Sequence, residues 1–199
     1  MERRELETPH GPARAHVQPV ERPAALLVLG HGAGGGVTAP DLVTAAEAAN
    51  AAGVSVALVE QPYRVVGRRS PAPAHQLDAA WLAVVAQLRG EEPVICGGRS
   101  SGARVACRTA AAAGAAGVLC LAFPLHPPGR PEKTRLAELE AVEVPVLIVQ
   151  GERDPFGMPP EAPDREIVRL RGDHGLKSDR PGLRAAVAAW LERRLSGAA

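Results

Sequence analysis

The sequence predicts an α/β fold: a mostly parallel, doubly wound sheet with helices on both faces. Three observations carry that expectation. Apolar, β-rich runs alternate with helical patterns along most of the chain. Those runs are continuously apolar, as strands covered on both sides should be. A glycine-flanked serine stands where one such run meets the next helical pattern, between residues 94 and 106.

The elements follow in order. Residues 1–12 read as a flexible N-terminal tail, charged from Glu2 to Glu5, and 13–199 as one domain with no repeat or linker. Ala13 to Val20 alternates weakly and is expected to be an edge strand. Further strands are expected at Ala25–Leu29, Val54–Val59, Pro93–Cys96, Gly117–Ala122, Val144–Val149 and Glu166–Leu170. Helices are expected at Pro40–Ala52, His75–Leu88, Gly102–Ala113, Thr134–Ala141 and Arg180–Leu195. The connection from Leu121 to Val144 is too short for a separate cap domain.

Composition narrows the function. A chain of 199 residues buries roughly 70% of its unfolded surface. Net charge is +1, which gives no support to a nucleic-acid partner. Arg64, Arg68 and Arg69 read as a solvated loop. No run of 18 apolar residues is present, so no membrane span is expected, and the charged start suggests no signal peptide. Cys96, Cys107 and Cys120 lie in apolar segments; an odd number in the expected core argues for reduced thiols and a cytoplasmic setting. No metal and no cofactor is expected, and the working unit is taken as a monomer or homodimer.

Residues Val94 to Ala106 read as strand, sharp turn and helix. The pattern G-x-S-x-G centres on Ser100, between Gly98 and Gly102. Centring on Ser101 would put Arg99 and Ala103 where glycine is needed. Reacting groups of an open parallel sheet gather at the carboxyl ends of its strands. Asp154 follows the run Val146–Gln150, and His174 follows Glu166–Leu170, so a serine, an acid and a histidine each stand after a separate strand. A hydroxyl needs a base to take its proton, and the base needs a partner to orient it. Asp154 also suits a turn before Pro155, and Asp173 is the reserve acid. His10, His16 and His75 read as exposed surface residues.

Oxyanion stabilisation calls for backbone N–H donors. The glycine-rich run after the first long strand offers Ala33, with Gly34 as substitute, beside the amide of Ser101. His31 is expected to orient that loop. The rim of the site is expected to include His31, Tyr63, Phe123, His126, Phe156 and Met158. The same loop contains Gly30-x-Gly32-x-x-Gly35, with Glu60 ending the next strand, which matches a dinucleotide fingerprint. A helix started that early would carry Pro40 in its interior, at about 3 kcal/mol. Thr38 or Ala39 as cap, with Pro40 in the first turn, fits better.

Taken together, LGHGAGGG (Leu29 to Gly36), GGRSSGAR (Gly97 to Arg104), GERDPFG (Gly151 to Gly157) and DHGLK (Asp173 to Lys177) resemble the α/β-hydrolase superfamily. Within it, the chain is similar to small dienelactone-hydrolase-like proteins. It resembles most the branch of testis-expressed protein thirty and the hydrolase-like domain of subunit three of the NSL chromatin complex. The resemblance implies an uncapped serine hydrolase acting on a small ester, lactone or thioester, through Ser100, His174 and Asp154. The alternative is a hydrolase-fold interaction module with little activity.

Overall fold

The computed structural model describes residues 2–196. Eight strands form one sheet: β1 (Glu2–Leu6), β2 (Ala13–Gln18), β3 (Leu26–Gly30), β4 (Ser55–Glu60), β5 (Val94–Arg99), β6 (Gly117–Leu121), β7 (Val146–Gly151) and β8 (Arg165–Leu170). Their order across the sheet is β1-β2-β4-β3-β5-β6-β7-β8. β1 with β2, and β2 with β4, are antiparallel; the neighbours from β4 through β8 are parallel. The helices are α1 (Pro40–Ala51), α2 (Pro62–Val65), α3 (Ala74–Leu88), α4 (Ser101–Thr109), α5 (Leu136–Glu140) and α6 (Arg180–Ser196). This is the α/β-hydrolase architecture. Among the described residues, α5 is the only helix between β6 and β7, so no cap domain is inserted there.

The parallel strands divide their side chains between two apolar layers. Leu27, Leu29, Val56 and Leu58 meet α1 and α6 on one face, where Leu42, Ala45, Leu183, Val187 and Trp190 are buried. Leu26, Val28, Ala57 and Val59 meet α3 and α4 on the other, against Trp81, Val84, Ala103 and Ala106. Aromatic residues are only 3% of the chain, so each layer has one tryptophan as its bulky filler, Trp81 and Trp190. Alanines on α1 let it lie close to the sheet and to α6.

The first residues depart from the expected tail. Glu2–Leu6 forms a strand whose register sets Glu5 opposite Arg14, with their charged groups 2.6 Å apart. Cross-strand charge pairing and the burial of Leu6 hold a segment too polar to read as a strand. β2 is therefore interior, with Ala13, Ala15 and Val17 facing the core, and β1 is the margin. β8 is the opposite margin, its Arg169 and Glu166 paired with Glu161 and Arg193.

Chain direction places the site. The connection after β3 runs through α1 on one face, and that after β5 runs through α4 on the other. Adjacent strands whose connections diverge leave a crevice at their carboxyl ends. Gly30 and Ser100 stand at that crevice.

Candidate active site

Ser100 links β5 to α4 with φ 52° and ψ −108°. That region costs a non-glycine residue about 1–3 kcal/mol, so the surroundings must impose it. The Ser100 N–H donates to the Leu121 carbonyl at 2.9 Å, and the Ser100 carbonyl accepts from the Arg104 N–H at 3.2 Å, opening the helix. The elbow also presses on β3. A Cβ at Gly102 would overlap the carbonyl of Gly30, and one at Gly98 would crowd the same oxygen. The two glycines of the motif are thus required by close backbone approach.

Ser100, His174 and Asp154 come together. The Ser100 hydroxyl lies 2.9 Å from His174 Nε2, and His174 Nδ1 lies 2.8 Å from Asp154 Oδ2. A carboxylate only accepts, so Nδ1 carries the imidazole proton and Nε2 is left bare to accept from the hydroxyl. The Asp154 side chain is 1% exposed. Its Oδ1 accepts the Phe156 N–H at 2.9 Å, so the turn before Pro155 and the orientation of His174 use the same carboxylate. Phe156 covers the imidazole with ring centroids 4.2 Å apart. The short Pro155–Asp164 connection leaves Asp154 well held, because the chain after β7 continues the ladder with β8. Glu152 N–H donates to Leu170 O and Arg153 N–H to Gly172 O, both at 2.9 Å. Asp173 is exposed and turns away, its Oδ1 accepting from Gly175 N–H.

The glycine-rich loop is fixed from the β4 side. Gln61 N–H donates to His31 Nε2 at 3.2 Å, which leaves Nδ1–H to donate to Gly32 O at 2.8 Å. Burial holds the His31 imidazole below its ordinary proton affinity. Tyr63 donates its hydroxyl to Ala33 O at 2.9 Å, and burial pushes that phenol up to about 12. α1 starts at Pro40 with Ala39 as its cap, so the glycines lie in a free loop. Glu60, the acid of the dinucleotide reading, is occupied by Arg14 at 3.3 Å and His16 at 3.1 Å. His16 is therefore half-buried, unlike the exposed His10 and His75.

The rim differs in part from expectation. Phe123 and His31 are buried and support the site from beneath, and Tyr63 is 6% exposed. The backbone turns at Ala122 (φ 52°) just past β6 and carries the Phe123 ring into the layer opposite Leu121, away from solvent. His126, Phe156 and Met158 are partly exposed. His126 packs against Gly157 (φ 91°), where a Cβ would strike the imidazole. Among the described residues, no group of three or more His, Cys, Asp or Glu could hold a metal ion.

Three supporting residues escape a reading of the sequence. Arg99 Nε lies 2.7 Å from Asp41 Oδ2, a charge pair without an aligned hydrogen bond, and Arg99 Nη2 donates to His174 O at 3.1 Å. Arg99 Nη1 fills the space where a Cβ of residue 32 would stand. One guanidinium thus reaches the start of α1, the glycine loop and the histidine loop. Gln150, fully buried at the end of β7, donates from Nε2 to Asp154 Oδ2 at 2.8 Å. The only visible signal was polarity: an arginine inside the elbow, an aspartate behind Pro40, and a glutamine ending an apolar strand.

Comparison with known proteins agrees with this architecture. A family model described as an alpha/beta hydrolase domain matches residues 23–180. No curated protein matches the sequence. Among solved structures, XC6422 from Xanthomonas campestris, described as an a/b serine hydrolase without lid, is 22% identical, with 96% of this chain and 94% of that one covered and a TM-score of 0.77. Est1E from Butyrivibrio proteoclasticus is 16% identical, covering 98% and 99%, with a TM-score of 0.78. Dienelactone hydrolase from Anabaena variabilis is 16% identical, covering 98% and 96%, with a TM-score of 0.73. At such identities the likeness is one of fold. With the family match spanning most of its length, the chain belongs to the alpha/beta hydrolase domain family.

Proposed function

We propose that the protein is a serine hydrolase that cleaves a small carboxylic ester, lactone or thioester through an acyl-enzyme. The carrying observation is the unbroken line from Ser100 Oγ to His174 Nε2 at 2.9 Å and from His174 Nδ1 to Asp154 Oδ2 at 2.8 Å. Ser100 Oγ attacks the substrate carbonyl while His174 Nε2 takes its proton. Asp154 stabilises the imidazolium that forms. The proton then passes to the leaving oxygen or sulfur, the acyl group stays on Ser100, and water releases it by the same steps in reverse.

The oxyanion is assigned to the N–H groups of Ser101 and Ala33, with Gly34 as substitute. Ser101 is the first residue of α4, so its N–H has no carbonyl within the helix to meet, and the helix start favours negative charge. Tyr63 and His31 hold the Ala33 strand of the loop by its carbonyls. Without a cap, the site is bounded by His126, Phe156 and Met158, which suits a compact acyl or alcohol group. Est1E, a protein of this fold, is described with ferulic acid bound. The resemblance to the branch of testis-expressed protein thirty and the NSL subunit is part of the same reading.

The setting is read as cytoplasmic. Cys107 and Cys120 stand with sulfurs 3.5 Å apart and unbonded, and burial pushes the Cys96 thiol up to about 12. No helix is long and apolar enough to cross a membrane among the described residues. A small-molecule substrate is expected, with no nucleic-acid partner, on a monomer or homodimer.

The test is Ser100→Ala with p-nitrophenyl acetate, where kcat should fall by roughly 10⁴–10⁶-fold. A fluorophosphonate should add its mass at Ser100 and nowhere else. A variant that keeps near-normal turnover would refute the proposal, and a parent protein that takes no label would refute it in favour of the interaction module.

A further inference from the structure

We infer that Gln150 is a positioning residue for the proposed triad, its side-chain amide holding the Asp154 carboxylate in line with His174. This rests on the triad reading above. Gln150 ends the run Val146-Leu147-Ile148-Val149 and is completely buried. Its Nε2 lies 2.8 Å from Asp154 Oδ2, 2.9 Å from Gly157 O and 3.1 Å from Phe123 O.

All three neighbours only accept hydrogen bonds. The amide is therefore oriented without ambiguity, because turning it over would set Oε1 against three oxygens. Two N–H bonds serve three acceptors, and the charged one takes the strongest share. Asp154 Oδ2 is also the atom that accepts from His174 Nδ1. Both donors meet on that oxygen, while the Phe156 N–H holds the other. A carboxylate gripped on both oxygens cannot rotate away from the imidazole.

The arrangement has a cost that packing alone does not explain. Gln150 Oε1 is buried with no partner among the described residues. A lone buried acceptor is unfavourable, and an apolar side chain like its neighbours on β7 would avoid it. What an apolar side chain would lack is the N–H aimed at Asp154.

Gln150→Met and Gln150→Glu in the full chain separate this role from a packing role. Methionine keeps the bulk and removes the donor, so kcat for p-nitrophenyl acetate should fall about 10- to 100-fold with KM within about twofold. Glutamate keeps the shape, but its ionised form donates nothing and repels Asp154, so its loss should be the larger. A glutamine that merely pins the Phe123 and Gly157 loops is lost equally in both variants, so it predicts a KM that rises with any fall in kcat and no extra loss for glutamate. A second readout needs no variant. Phosphonylation of Ser100 removes the hydroxyl proton that His174 Nε2 accepts, and the change carried through Nδ1 to Asp154 Oδ2 should shift the Gln150 side-chain amide signals in ¹⁵N spectra. Equal kcat in parent and variants, no extra loss for glutamate, or amide signals that stay put on phosphonylation would each overturn the inference. Failure of the parent chain to react at Ser100 would instead remove the triad reading, and this role with it.

Discussion

Replacing Arg99 by methionine should unsettle the fold through Asp41, the buried carboxylate its guanidinium pairs with. Asp41 is 1% exposed at its side chain, and the guanidinium 2.7 Å away is its counter-charge. Removing one partner of a buried pair costs about 3–5 kcal/mol, because the other charge stays desolvated. Arg99 is 21% exposed, so water can reach part of the vacated space, and the low end, about 3 kcal/mol, is expected. For a chain of this size that lowers Tm by about 6–12 °C. The loss also has a pH signature. Burial raises the Asp41 carboxyl above its ordinary 3.8, and Arg99 opposes that rise. Without Arg99 the folded state holds its proton to higher pH than the unfolded chain does, so stability falls as pH increases through that window. The gap between parent and variant should therefore widen from pH 4 to pH 7 in urea unfolding. Adding Asp41→Leu should restore most of the loss. A gap below about 1 kcal/mol, or one independent of pH, would refute the reasoning.

Two further outcomes follow from the same surroundings. His31 is kept neutral by burial, so as pH falls through its ordinary 6.5 the unfolded chain gains a proton that the folded chain refuses. Stability of the parent should decline between pH 6.5 and 5, and His31→Gln should flatten that slope in urea melts; an unchanged slope would count against a neutral, load-free imidazole. Gly102→Ala forces a Cβ into the Gly30 carbonyl, so it should cost about 3 kcal/mol and slow labelling of Ser100, and a variant as stable as the parent would contradict that contact.

What could be read from residues alone was whatever local chemistry dictates. The turn around Ser100 needs glycine on both sides, Pro40 must open a helix, and acid and histidine each trail an apolar run; all three stand where these rules put them. What stayed hidden depends on distant partners. Glu2–Leu6 is a strand only because Arg14 and β2 lie alongside. Arg99 meets Asp41 only because α1 begins over the elbow, and Gln150 meets Asp154 only once the chain has turned back after β7. Phe123 looked like rim because it follows a strand at the reactive end, but the backbone turns at Ala122 (φ 52°) and sends the ring into the apolar layer opposite Leu121. The four-residue α2 is too short for any periodicity to announce it.

The two outermost strands bear on how the protein keeps to itself. β1 presents Glu2, Arg3, Arg4 and Glu5 to solvent, and β8 presents Glu166 and Arg169. A foreign segment adding to either side would have to displace water from ions of both signs before gaining any backbone hydrogen bond. An otherwise open ribbon is thereby made a poor template for runaway strand addition.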